Sequence, residues 1–258
     1  MQEIKSLDFH IKELDLMKKY PKELFYIGDL ELLKKRKIGV IGSRNPSVYA
    51  SNYTYQIVSA ISNDDNIIVS GGALGIDTIA HKACKDFKTI MVSGTGLDKR
   101  YPAINKSLIE NIEKKGLVIS QFPANTPSFP QNFAIRNEII VALSDILIVP
   151  YANLKSGSQR SIDFALDMGK KIYVLPHRIG ESEATNKLLY ENKATAIYFV
   201  EDFVKEFISG NRCKKDEFLE YCKTNPNYDE AALKYGDKVF EYELLGKIKI
   251  SNGKVLVL

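Results

Sequence analysis

The sequence predicts a doubly wound α/β fold: a Rossmann-like, mostly parallel sheet with helices on both faces. Three observations predict it. Short apolar runs rich in β-branched residues recur between Ile38 and Pro176, which is the signature of strands buried on both faces. The segments between them are long enough to hold crossover helices. Glycines, hydroxyls and cations gather directly after the runs, at the strand ends where open parallel sheets bind ligands.

Taken in order, the strands are IGVIG (Ile38–Gly42), NIIVS (Asn66–Ser70), TIMVSG (Thr89–Gly94), LVIS (Leu117–Ser120), DILIVP (Asp145–Pro150) and KIYVLP (Lys171–Pro176). Helices are expected at Ser51–Ser62, Thr78–Phe87, Asn137–Ser144 and Ser158–Gly169, so that right-handed crossovers cover both sheet faces. The three domains expected are residues 1–35, a helical extension packing on the sheet; 36–210, the sheet domain; and 211–258, a small C-terminal module. In that module about three short helices precede two strand-like runs joined by Asn252-Gly253, a pair that favours a type I′ hairpin. Helices followed by a hairpin read as winged-helix-like. Gly210 and Asn211, with the charge around them, mark the linker.

A chain of 258 residues, 45% hydrophobic, can bury a large core. Its net charge of +4 is compatible with a nucleic-acid partner and too small to demand one. Cys84, Cys213 and Cys222 fit neither a metal-binding CxxC spacing nor a disulfide framework, so they read as idle thiols in a reducing compartment. No apolar run reaches the ~20 residues of a membrane span and no signal-peptide core opens the chain, which makes the cytoplasm the expected address.

The strand ends carry the chemistry. After the first strand, Gly42 permits close backbone approach, Ser43 offers a hydroxyl and Arg44 a guanidinium suited to phosphate. After the second, the stretch Ser70, Gly71, Gly72, Ala73, Leu74, Gly75 opens a helix, where backbone amides could hold an anion; Asp77 reads as a cap of that helix. The third corner brings Lys99, Arg100 and Tyr101. The fifth opens a helix with Lys155, Ser156, Gly157 and Ser158, and FPQNFAIRNEII contributes Phe129, Phe133, Arg136 and Asn137. Phe133 alone would read as core. Aromatics interleaved with cations are what a single strand of nucleic acid needs: faces for stacking and charges that track phosphates.

Enzyme signatures are missing from the sequence. There is no GxGxxG fingerprint with its downstream acid, no GxxxxGK[ST], no metal cluster and no GxSxG elbow. His10, His81 and His177 are scattered, and His81 reads as a helix-packing residue. A binder with no catalytic residues, metal or cofactor is the expectation.

The ordered stretches IGVIGSR, VSGGALGIDTIAH, GTGLDKRYPAINKSL, GLVISQFP, FAIRNEIIVALSDILIVP, KSGSQRSIDFALDMGKKIYVLP and ESEATNKLLYENKA resemble the DprA/Smf family over about two thirds of the chain. The tail is similar to the winged-helix-like domain of many members. The resemblance implies a Rossmann-like homodimer that binds and protects single-stranded DNA during natural transformation and helps load the RecA recombinase. Double-stranded DNA is a second candidate partner. Carried over by motif, the implied DNA-binding residues are Ser43, Arg44, Ser70, Gly71, Gly72, Gly75, Phe133, Arg136, Asn137, Lys155, Ser156 and Gly157. Ala134, Glu138 and Gln121 depart from the family pattern, and Glu138 is expected to repel phosphate in place of an arginine. Two alternatives stay open: a phosphoribohydrolase-like nucleotide enzyme, for which Asp163 would be the nearest carboxylate, and a protein-interaction scaffold.

Overall fold

The computed structural model describes residues 3–62, 65–207, 217–244, 247–251 and 253–257, and the chain divides into two compact units after Phe207. The first unit is built on a nine-stranded sheet in the order β1-β2-β6-β5-β4-β3-β7-β8-β9. Its parallel body consists of β3 (Arg36–Val40), β4 (Asn66–Ser70), β5 (Thr89–Val92), β6 (Leu117–Ser120), β7 (Ile146–Val149), β8 (Lys171–Val174) and β9 (Thr195–Ala196). The crossovers are α1 (Val48–Ile61), α2 (Ile76–Ala83), α3 (Lys106–Lys115), α4 (Pro130–Leu143), α5 (Gly157–Asp167) and α6 (Glu183–Tyr190), and α7 (Val200–Lys205) follows β9. All six expected strands are present, and α4 begins seven residues earlier than Asn137 because Pro130 fits its first turn.

Strand alternation explains why the runs are apolar on both sides. Ile67 and Val69 of β4 point into the layer formed by α4, α5 and α6, and Ile68 between them points into the layer of α1, α2 and α7. The same split separates Leu147 and Val149 from Ile146 and Ile148 on β7. Met91 and Val118 belong to a third cluster with Leu108, Ile109 and Ile112 of α3. A half-buried strand would show polar residues at alternate positions; a doubly covered one has no solvent face.

The first 35 residues differ from the helical extension expected. They form two 3-10 turns, Lys12–Leu16 and Leu30–Lys34, and two strands, β1 (Lys5–Ser6) and β2 (Phe25–Gly28). β2 pairs antiparallel with β6, Phe25 opposite Ser120 through Gly28 opposite Leu117, so the segment extends the sheet itself. Its fastening is polar as well as apolar. The buried Lys37 ammonium donates to the carbonyls of Leu33 (2.8 Å) and Lys35 (3.0 Å) and pairs with Glu13 at 2.8 Å. A buried ammonium is tolerable when its three donors are all used.

The order of strands places the site. The chain enters the parallel sheet at β3, winds outward through β4, β5 and β6, then returns across the sheet along α4 to lay β7 on the other side of β3. The β3/β7 boundary is therefore the topological switch point, where diverging crossovers open a crevice beyond the strand ends.

The second unit holds α8 (Glu217–Cys222), α9 (Tyr228–Tyr235), α10 (Lys238–Leu244) and the hairpin β10 (Ile248–Ser251) with β11 (Lys254–Val257). Phe218, Cys222, Ala231, Val239, Ile248 and Val255 form its own core. The expected linker at Gly210 and Asn211, Cys213, and Asn252 of the expected turn lie outside the described residues. Cys84 and Cys222 are buried, and burial pushes the Cys84 thiol up to about 12, which removes its nucleophilic form at neutral pH. No helix among the described residues is long and apolar enough to cross a membrane.

Candidate nucleic-acid interface

A cleft of about 640 Å³ opens at the switch point. The turn after β3 supplies Gly42, Ser43 and Arg44; the turn after β7 and the start of α5 supply Lys155, Ser156, Gly157, Ser158, Arg160 and Ser161; α4 supplies Phe133, Arg136 and Asn137; Tyr101 closes one side. Eight of the twelve expected residues thus meet in one place, despite lying more than a hundred positions apart in the chain.

Arg44, Lys155 and Arg160 are exposed on this lining, and Asp77 is its one carboxylate. The helix α5 starts at the cleft with no acidic residue in its first turn, and its cap is Ser156, whose hydroxyl accepts from the Gln159 amide at 3.3 Å. Helix start and side chains therefore add up to one sign of field, suited to an anion. Phe133 is half-buried. Its ring lies on the backbone of Gly94, where a Cβ would meet it at 2.6 Å, and faces Tyr101 with centroids 5.4 Å apart at 33°. The Arg136 guanidinium carbon lies over the same ring, 5.8 Å from its centroid.

The glycine corner works differently from the expectation. Ser70, Gly71, Gly72 and Gly75 lie off the cleft lining and support it from below. The Ser70 hydroxyl donates to the Val40 carbonyl at 2.6 Å, tying β4 to β3. The Ala73 amide donates to the Asp77 carboxyl at 3.3 Å, so the group held by this loop is the protein's own side chain. Gly75 takes φ +75, a left-handed conformation open to glycine, and the following Ile76 amide donates to the Ser43 carbonyl at 3.1 Å. The corner thereby fixes the backbone that carries Arg44.

Arg136 also departs from a phosphate-contact role. It is 3% exposed, and its Nη1 donates to the carbonyls of Val92 (2.6 Å) and Gly71. The absence of a side chain at Gly71 makes room for this guanidinium. Burial pulls Arg136 down to about 10, with Asp77 opposing the shift and Arg44 adding to it, so it remains a cation at neutral pH. Burial pushes the Asp77 carboxyl up against the pull of Arg136 and the loop amides. Arg136 thus forms a cationic floor beneath the rim. Arg136 Nε and the Ser161 hydroxyl are both buried without a protein partner, and both residues line the cleft.

Other expected cations turn away. Arg100 clamps the buried Glu113 with bonds of 3.0 and 2.7 Å, and Lys99 donates to the Asn125 carbonyl at 3.0 Å; only Tyr101 of that corner faces the cleft. Glu138 lies off the cleft lining. Its carboxylate accepts from the Lys18 amide at 2.9 Å, fastening the N-terminal segment, so the repulsion expected of it is not built into the site. Asp163 accepts from Gln159 at 2.9 Å and is also off the lining, as are Gln121 and Phe129, while Ala134 is on it.

Sequence reading did not select Arg160 and Ser161. The signal was their place one helical turn after Gly157, on the same side of α5. For Arg136 the signal was the buried stripe Asn132, Arg136, Ile139, Ile140, Leu143 on α4, whose spacing puts the arginine on the inward face. Among the described residues, no group of three His, Cys, Asp or Glu could hold a metal ion.

Strand order, switch-point crevice and a cationic rim around aromatic rings define a Rossmann-like α/β protein with a cationic crevice at its strand ends. The chain belongs to the DNA recombination-mediator protein A family, whose model matches residues 6–208. It is 37% identical over 191 residues to the DNA processing protein DprA of Streptococcus pneumoniae, covering 72% of this chain and 67% of that protein. It is 35% identical over 184 residues to protein Smf of Synechocystis, covering 69% of this chain and 46% of that protein. The chain thus spans about half to two thirds of the length of these curated relatives. Among solved structures, it is similar to DNA processing protein A of Helicobacter pylori, described for its single-stranded DNA binding mode, with TM-score 0.78 and 36% identity over 80% of this chain and 96% of that one. DprA of S. pneumoniae superposes with TM-score 0.74 and 32% identity over 81% of this chain and 76% of that one.

Proposed function

We propose that this chain binds single-stranded DNA in the switch-point cleft and serves as a recombination mediator without a chemical step. The observation that carries the reading is the placement of Arg44, Lys155 and Arg160 around the rings of Phe133 and Tyr101. Arg44 anchors a phosphate, Lys155 and the start of α5 take a neighbouring one, and Phe133 stacks a base. The single-stranded DNA binding mode described for the H. pylori relative supports it. Ser156, Gly157 and Asn137 supply hydrogen bonds along the same lining, and the glycine corner acts through its hold on Ser43. In the full reading, two copies act together in the cytoplasm, protecting DNA taken up in natural transformation and helping load the RecA recombinase. The second unit is read as winged-helix-like, with duplex DNA or protein as its partner.

The test compares single- and double-stranded oligonucleotides by fluorescence anisotropy. Wild type is expected to prefer the single strand, and Arg44→Ala to lose at least about tenfold in affinity, because a charge-assisted contact is worth roughly 1.5–3 kcal/mol. Unchanged affinity in that variant sinks the assignment of the cleft. Recombinase filament assembly on coated DNA, with and without this protein, tests the mediator role; no acceleration removes it.

A further inference from the structure

Beside the cleft runs a second aromatic surface that the proposed function does not use. Helix α1 starts four residues after Arg44, and its fourteen residues, VYASNYTYQIVSAI, contain no charged side chain. Its inward stripe, Ala50, Thr54, Ile57, Val58 and Ile61, is buried. Its outward face presents Val48 at 77% exposure, Tyr49 at 40% and Tyr53 at 37%, with Asn52 and Gln56 between. An exposed helix face normally carries charge for solvation, and a face of tyrosines with amides calls for a covering partner.

The rings pack one against the next, with the His177 side chain fully buried among them. Tyr53 lies 4.9 Å from Tyr49, Tyr49 stands edge-on to His177 at 5.4 Å, and His177 stands edge-on to Tyr151 at 5.1 Å. His177 is locked in place by its Nε2, 2.7 Å from the Pro150 carbonyl. The Tyr151 carbonyl in turn accepts from the Ser43 amide at 2.8 Å, so the row of rings ends at the lip of the cleft. Topology puts these pieces side by side. Arg44 follows β3, Tyr151 follows β7 and His177 follows β8, three adjacent parallel strands whose ends lie about 5 Å apart in the sheet. The exposed Arg178 continues the line of positive charge, and the one carboxylate at the rings, Glu181, lies 4.0 Å from His177 Nδ1.

We propose that the outer face of α1, with Tyr49 and Tyr53 as its stacking platforms, is the exit track on which single-stranded DNA leaving the cleft past Arg44 lays its next bases. The inference rests on the proposed function of the cleft and adds a second, length-dependent contact surface to it. The occupant follows from the chemistry: neutral rings stack any base, the amides of Asn52 and Gln56 pair with base edges, and the lack of acidic residues on α1 spares the phosphates repulsion. Arg44 holds the backbone at the junction, and Arg178 takes a phosphate farther along.

The experiment uses the full chain and labelled oligothymidylates of about 5 and about 16 nucleotides, spanning the usual range of single-strand site sizes. Wild type is expected to bind the longer one more tightly. Tyr49→Ala/Tyr53→Ala is expected to weaken the longer one by about tenfold or more while leaving the shorter one unchanged, and Tyr49→Phe/Tyr53→Phe to match wild type at both lengths. Equal weakening at both lengths, or none at the longer, overturns the track and leaves the face to a protein partner. Photocrosslinking with 5-iodouracil oligonucleotides gives a readout that stability does not mimic. Adducts on Tyr49 or Tyr53 support the track; adducts that reach Phe133 or Tyr101 but never α1 refute it. Wild type that binds neither length sinks the cleft itself, an outcome distinct from losing length dependence alone.

Discussion

Arg136 shows how one buried side chain can serve a binding site without touching its ligand. It joins the end of β4 through Gly71 and the end of β5 through Val92 to α4, the helix that carries Phe133. Arg136→Met removes the donor to the Gly71 and Val92 carbonyls and leaves buried acceptors unpaired, a change that typically costs about 1–3 kcal/mol for each. Chemical denaturation is expected to show that loss, with single-strand affinity falling alongside. His81 makes a second residue-scale prediction. It is fully buried, its Nδ1 lies 3.0 Å from the Thr89 hydroxyl, and burial together with the Arg136 charge pulls it down to about 3 from an ordinary 6.5. The folded chain therefore refuses a proton that the unfolded chain takes up between about pH 6.5 and 3, and stability falls as the pH drops through that window. At pH 5 the loss is on the order of 2 kcal/mol. Asp77, pushed up by burial, acts with the opposite sign, so the difference between wild type and His81→Gln isolates the histidine. Thermal melting at pH 7 and pH 5 is expected to show a smaller drop in His81→Gln; an identical drop would assign acid lability elsewhere.

At the scale of elements, the start of α5 gathers Lys155, Ser156, Gly157 and Arg160 into one anion-facing turn. If Lys155 and Arg160 each neutralise a phosphate, replacing both with alanine lowers the slope of log affinity against log salt by about 1.4, at ~0.7 per contact for single strands. Anisotropy titrations across several salt concentrations measure that slope, and an unchanged slope removes both residues from the path of the strand. Arg160 was not legible in the sequence; Lys155, Ser156 and Gly157 were, because cation, hydroxyl and glycine follow within a few residues of an apolar run. The six strands were legible for the same reason: β-branched runs such as NIIVS have no reading but a covered strand. The N-terminal strands were not, since β1 has two residues and β2 four, too short to set a period. Side-chain direction was the other limit. Sequence gave Arg44, Arg100 and Arg136 the same chemical promise, and only packing distinguishes a rim cation, an arginine clamped to Glu113, and one buried under a glycine loop. Glu138 shows the reverse error, a carboxylate expected in the site that instead holds Lys18.

At the scale of the whole molecule, the cores of the two units are separate clusters, and the cleft, its floor and α1 all belong to the first. A chain ended at Phe207 is expected to melt cooperatively and keep its preference for single strands, because no cleft residue lies beyond that point. Loss of single-strand binding on that truncation, with the fold intact by circular dichroism, would move part of the site into the second unit. The seat that the glycine loop gives Asp77 has a consequence for the crowded interior of a cell. A vacant amide cradle at a helix start would be open to any metabolite that carries a pyrophosphate. Here a side chain of the protein already sits in that cradle and takes up the Ala73 amide. An amide so engaged is closed to a passing cofactor, and on the proposed reading selection falls to the rim, where several phosphates on one strand are held at once.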